Sequence, residues 1–343
     1  MKTKKQRNKA DPSVSLNRRS ERDLRIDLNR PKNSLEEKMA EFRDYLIIEK
    51  GLSDNTKRNY EFYLTRLAAF VEERGVDSPE GLTKETVRKF RIYLNDLEKK
   101  GEKLRKNTQN YHLIALRGFL KYLIKRDIKT LEPDKIELAK QEPRQVSFLE
   151  GPDLERLLEA PLTINPPLPE AIKKRDKAIL ELFFSTGLRV SELTKLKIEN
   201  VNLTKDEFTV RGKGSKLRVV FLAPEAKYWI KQYLEIRKDF NPYLFVGHDK
   251  AAKGRSSEKN LAPRSVQRLI QKYSKVAGIT KKVTPHTMRH SYATDLLING
   301  ADIRSVQAML GHASITTTQV YTHITDQQLR EVYKAFHGKR RKS

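Results

Sequence analysis

Between residues 34 and 125 apolar side chains recur at helical spacing in four successive segments, and glycine or polar stretches interrupt them. That pattern commits this part of the chain to a small helical bundle. In the first segment Leu35, Met39, Phe42, Tyr45 and Leu46 share a side, Ser34 with Glu37 suggests a capping box, and Gly51 breaks the run. The second starts near Ser53, turns Tyr60, Tyr63, Leu64, Leu67 and Phe70 inward, and ends at Gly75. The third, residues 84–99, has Val87, Phe90, Tyr93, Leu94 and Leu97 inward. The fourth, residues 106–125, has Tyr111, Ile114, Leu116, Phe119, Leu120 and Leu123. The polar faces of all four are rich in Lys and Arg.

The flanks are different. Residues 1–33 mix Lys, Arg, Asn and Asp with few apolar residues, the composition of a disordered basic arm. Such an arm either tracks a polyanion or is a solvated tail. Residues 129–146 hold two prolines and alternating charges and read as an extended linker. A second domain begins near Ser147. Helices are expected at residues 150–159, 171–185, 225–237, 264–276, 286–298 and 302–310. Residues 207–211 and 217–222 read as strands joined by the turn GKGSK. Residues 248–260, rich in Lys, Ser and Gly, read as a mobile loop. The expected fold is mostly α with a small antiparallel β-sheet. Its parts are an arm (1–33), a helical domain (34–128), a linker (129–146), a mixed domain (147–328) and a C-terminal helix with a basic tail (329–343).

A net charge of +26 over 343 residues points to a polyanionic partner, because each neutralised phosphate releases a counterion. A saline or hot habitat, or a ribosomal association, is the competing reading. The chain has no cysteine, which excludes disulfides, thiolate zinc sites and a Cys nucleophile, and fits a reducing cytoplasm. No apolar run approaches the roughly 20 residues of a membrane helix, and the N-terminal MKTKKQRNK lacks the apolar core of a secretory signal.

Residues with chemical potential cluster in the second domain. They are Arg189 in TGLRVSELTKL, Lys213 in GKGSK, His286 and Arg289 in TPHTMRHSYAT, and His312 with Tyr321 in LGHASITTTQVYTH. Singly each has an ordinary reading: surface charge, a solvated turn, a structural or capping histidine, a core tyrosine. GKGS lacks P-loop spacing, nothing matches H-E-x-x-H, and no carboxylate trio has distinctive spacing.

In order, spacing and context these motifs resemble the tyrosine recombinase (phage integrase) family, and over nearly the whole chain they are most similar to its Xer branch. The resemblance implies a helical core-binding (SAM-like) domain at 34–128 and a catalytic domain at 147–328. It implies DNA cleavage and religation without a cofactor or metal. Tyr321 would be the nucleophile; a phenol with pKa near 10 needs help to attack. Arg189 and Arg289 would clamp the nonbridging phosphate oxygens, a task that suits a fixed fork of permanently charged donors. His286 would handle the phenolic proton, and His312 would donate a hydrogen bond to the phosphate. Lys213 would protonate the departing 5′ oxygen, with Lys216 a rival in the same turn. Glu192 would orient Arg189, or form a plain helix-surface pair with it.

Candidate DNA contacts are Thr56, Lys57, Arg58, Lys106, Asn107, Thr108, Arg264 and Arg268, mostly to phosphates; solvated surface is the alternative for each. The resemblance further implies a homotetramer on paired duplex sites, closed into a ring by a C-terminal helix carrying Leu329, Val332, Tyr333 and Phe336. That helix could instead pack on its own domain. A second recombinase or a DNA translocase is a conceivable partner. Integration of a phage or mobile element is the nearest rival role, and a non-catalytic DNA-binding protein of the same fold is the rival of another class.

Overall fold

The computed structural model describes residues 27–99, 101–140, 147–212, 217–248 and 259–311. It divides into two units, residues 1–143 and 144–343. The N-terminal unit holds α1 (Ser34–Ile48), α2 (Asp54–Glu72), α3 (Lys84–Asp96) and α4 (Lys106–Ile124). Strands β1 (Glu98–Lys99) and β2 (Glu102–Lys103) form a minimal antiparallel pair ahead of α4, where the sequence suggested that the third helix continued. Met39, Phe42, Phe70, Phe90 and Phe119 are fully buried in one cluster. Each such side chain contributes about 1.5–3 kcal/mol through burial.

Four further expectations for this unit need correction. Order begins before Ser34, because Leu28 joins the buried cluster. The helix cap sits one residue earlier than Ser34. Asn33 Oδ1 accepts the Glu36 N–H at 2.9 Å, and Glu36 in turn accepts the Lys32 N–H at 2.8 Å. Residues 129–140 are not an extended linker. Ile136 is buried in the bundle, and the Asn110 side chain exchanges two hydrogen bonds with the Ala139 backbone. Tyr111 and Ile114, expected inward on α4, are exposed, because its buried arc runs through His112, Leu113, Leu116, Leu120 and Leu123.

The C-terminal unit contains α5 (Gly151–Thr163), α6 (Glu170–Thr186), α7 (Val190–Thr194), β3 (Glu207–Arg211), β4 (Leu217–Phe221), α8 (Pro224–Ile236), α9 (Pro263–Val276), α10 (Pro285–Ile298) and α11 (Ile303–Leu310). Helix α6 is its spine: Ala178, Ile179, Leu180, Leu182 and Phe183 are all fully buried. A helix apolar on so much of its surface must be enclosed by its neighbours. Strands β3 and β4 pair antiparallel, with Phe208 opposite Val220 on the buried side. Their alternation leaves Leu217, Val219 and Phe221 exposed. No helix among the described residues is long and apolar enough to cross a membrane.

Candidate active site

The site starts where α6 ends. Gly187 adopts φ +55°, the left-handed conformation that closes many helices. A Cβ there would lie 2.4 Å from the Tyr292 ring, so the position requires glycine twice over. The turn drives Leu188 into the core and leaves Arg189 as the residue preceding α7.

Glu192, in the first turn of α7, reaches back. Its Oε2 accepts the Arg189 backbone N–H at 2.8 Å, and its Oε1 accepts from Arg189 Nη1 at 2.9 Å. Arg218 on β4 completes the group with a two-pronged contact, Nη1 to Oε1 at 2.9 Å and Nη2 to Oε2 at 2.8 Å. Burial alone would raise the Glu192 carboxyl. The hydrogen bonds from Arg218 and the Arg189 backbone, with the Arg218 charge, outweigh it and hold the pKa at about 2. Glu192 is therefore an anion throughout the physiological range.

The third arginine comes from α10. Thr284 caps this helix by accepting the Thr287 N–H, and Pro285 occupies its first position. His286 and Arg289 follow one turn apart; the histidine is exposed and the arginine is buried. Arg289 Nη1 donates to Gly187 O at 2.6 Å. His290, the next residue, is pushed down to about 4 by burial and by the nearby His286 and Arg289 charges, so it stays neutral near pH 7.

All three arginines meet the C-terminal end of α11. Arg218 Nε donates to Met309 O, Arg289 Nη2 to Leu310 O and Arg189 Nη2 to Gly311 O. Helix ends expose unsatisfied carbonyls and carry partial negative charge, so cations belong there. Gly311 closes α11 at φ +63°. Three guanidinium groups thus converge with a single carboxylate, leaving the cluster strongly cationic. An open cleft of about 850 Å³ borders it, lined among others by Arg189, Glu192, Lys195, Thr209 and Arg211. Such a cleft suits a phosphodiester whose oxygens gain negative charge in a transition state.

The structure brings Arg189, Glu192 and Arg289 together and sets His286 on the helix that carries Arg289. Lys213 and its rival Lys216 fall in the β3–β4 connection, and His312 and Tyr321 follow Gly311; these four lie outside the described residues. So do the C-terminal helix, most of the N-terminal arm and residues 249–258. Thr56, Lys57 and Arg58 sit in the first turn of α2, and Lys106, Asn107 and Thr108 open α4. Arg58 and Lys106 are exposed, whereas the Thr56 hydroxyl bonds to Ser53 and Lys57 pairs weakly with Glu61 at 3.9 Å. Arg264 and Arg268 are exposed on α9. Arg218 was not singled out from the sequence; its one signal is an arginine placed among the apolar residues of a strand.

The phage integrase family profile matches residues 147–328, and that of the phage integrase N-terminal SAM-like domain matches residues 39–127. The tyrosine recombinase XerD of Listeria innocua is 36% identical over 306 residues, 87% of this chain and 97% of its own. This chain belongs to the tyrosine recombinase family. A tyrosine recombinase named XerC, from Thermodesulfovibrio yellowstonii, is 35% identical over 301 residues, 87% of this chain and 95% of its own. Among solved structures, the XerH site-specific recombinase in a post-cleavage complex with palindromic difH substrate superposes with a TM-score of 0.65. It is 20% identical, with 96% of this chain and 98% of that chain covered, and it supports the tyrosine recombinase fold. The mostly helical architecture with a small antiparallel sheet is the family's, and membership makes the chain a site-specific DNA recombinase of Xer type.

Proposed function

We propose that this recombinase exchanges strands between two short, roughly palindromic DNA sites through a 3′-phosphotyrosine link to Tyr321, in Xer-type resolution of chromosome or plasmid dimers. The convergence of Arg189 and Arg289 on the end of α11, immediately before His312 in the chain, carries this reading. In this reading both arginines would hold nonbridging oxygens of one phosphate.

In the forward step the Tyr321 phenolic oxygen bonds to phosphorus while the bond from phosphorus to the 5′ oxygen breaks. The phenolic proton passes to the His286 side, and Lys213 supplies a proton to the departing 5′ oxygen. The arginines and His312 stabilise the charge that accumulates on the equatorial oxygens. The phosphotyrosine bond retains the free energy of the cleaved bond, so attack by a free 5′ hydroxyl reverses the step without an external energy source. A homotetramer on two sites, closed through the C-terminal helix, would perform two such exchanges in sequence.

The deciding experiment incubates the chain with nicked duplexes that trap covalent intermediates. Their sequence would be taken from sites that the wild-type chain selects from a random-sequence library. The wild type should form a covalent protein–DNA adduct, and Tyr321→Phe should bind the same duplex without forming it. An adduct formed equally by Tyr321→Phe would overturn the assignment. DNA binding by the wild type with no adduct would favour a non-catalytic DNA-binding protein.

A further inference from the structure

We infer that Arg218 is a positioning residue for strand cleavage, one that keeps Glu192 from neutralising Arg189. The inference rests on the active-site reading above and deepens it. Glu192 is buried and ionised, and its carboxylate receives four hydrogen bonds. Two come from the backbone and side chain of Arg189, and two from the guanidinium of Arg218. The Arg218 side chain is itself only 9% exposed, while that of Arg189 is 27% exposed. Arg218 is thus a nearly buried counter-cation with every nitrogen occupied, and Arg189 is the cation that faces the cleft.

The arrangement divides the work between the two guanidinium groups. A carboxylate paired with Arg189 alone would cancel its charge and draw it away from a phosphate. Fork-on-fork pairing with Arg218 satisfies Glu192 through another partner, so the carboxylate can orient Arg189 through one side-chain bond without cancelling it. Arg218 Nε also fixes the Met309 carbonyl, two residues before the Gly311 carbonyl that holds Arg189 Nη2. Gly311 is tied to the same feature: a Cβ there would lie 2.9 Å from Arg218 Cδ.

The test measures single-turnover cleavage of the nicked duplex described above, beside DNA affinity and thermal unfolding. The variants are Arg218→Gln, Arg218→Lys and the double variant Arg218→Gln/Glu192→Gln. Arg218→Gln should cleave more slowly by on the order of 10- to 100-fold, the usual scale for a partner that orients a reacting group, with affinity nearly unchanged. Arg218→Lys keeps the charge but loses the fork, so it should fall between; it carries the test if the glutamine variant fails to fold. The double variant removes the uncompensated carboxylate and should cleave faster than Arg218→Gln alone. Wild-type rates in both single variants would overturn the inference. So would a double variant no faster than Arg218→Gln, because a purely structural arginine gains nothing from loss of its partner. Absence of an adduct from the wild type is a distinct result: it removes the active-site reading, and the role of Arg218 falls with it.

Discussion

Arg66 Nη1 lies 3.1 Å from His112 Nε2 inside the N-terminal unit, and both residues are buried. His112 Nδ1 faces the Thr108 carbonyl oxygen at 2.8 Å. A carbonyl only accepts, so Nδ1 carries the ring proton and Nε2 accepts from the guanidinium. Burial, aided by the Arg66 charge and opposed by the Thr108 bond, pushes the pKa of His112 down to about 4.

Folding therefore lowers the affinity of His112 for protons. The unfolded chain binds a proton first, so stability is full above pH 6.5 and declines as pH falls toward 4, by roughly 3 kcal/mol in total. Trp229, the sole tryptophan, lies in the C-terminal unit, so fluorescence follows that unit while circular dichroism follows both. Urea titrations at pH 7 and pH 5 should show the fluorescence-silent transition moving to lower urea at pH 5. A transition that stays in place would show that His112 is not held neutral.

Glu192→Gln should destabilise the C-terminal unit by about 3 kcal/mol, since it strands two guanidinium groups that share one carboxylate, Arg218 being nearly buried. The Trp229 fluorescence midpoint in urea reads this directly. A loss below about 1 kcal/mol would mean that solvent already screens the cluster.

Gly187 and Gly278 both have positive φ in the same unit, but only Gly187 is crowded. Gly278→Ala should cost about 1 kcal/mol from backbone strain alone. Gly187→Ala should cost several-fold more, because its Cβ meets the Tyr292 ring and approaches Leu310. Equal losses in the two variants would show that Tyr292 yields freely.

Lys57, Arg58, Lys106, Arg264 and Arg268 are the cationic candidates for phosphate contacts. Should all five contribute, affinity for duplex DNA should fall roughly 500-fold between about 50 and about 200 mM salt. Replacing Arg58 or Lys106 with Ala should flatten the slope by about one contact. A slope unchanged in both variants would place the contacts elsewhere.

Periodicity carried the helices well, because burial of one face is a local, repeating signal: the strand pair at 207–211 and 217–221 and helix α11 fall where the pattern put them. It failed where one side chain decides. Leu28 and Ile136 lie in mostly charged segments whose few apolar residues follow no helical period, yet each enters the core. The link between Arg189 and Glu192 was legible from their spacing. Arg218 was not, since an arginine on a strand has no periodic partner, and only the fold brings it to Glu192.

Three successive carbonyls, each gripped by an arginine from a different part of the C-terminal unit, make the end of α11 a keyed joint. A helix displaced by one residue about its axis turns by about 100°, and every guanidinium would then confront the wrong oxygen. The register of Met309, Leu310 and Gly311 is accordingly indexed by the arginine cluster itself. Drift on the solvent side of α11 can alter its surface without shifting that register.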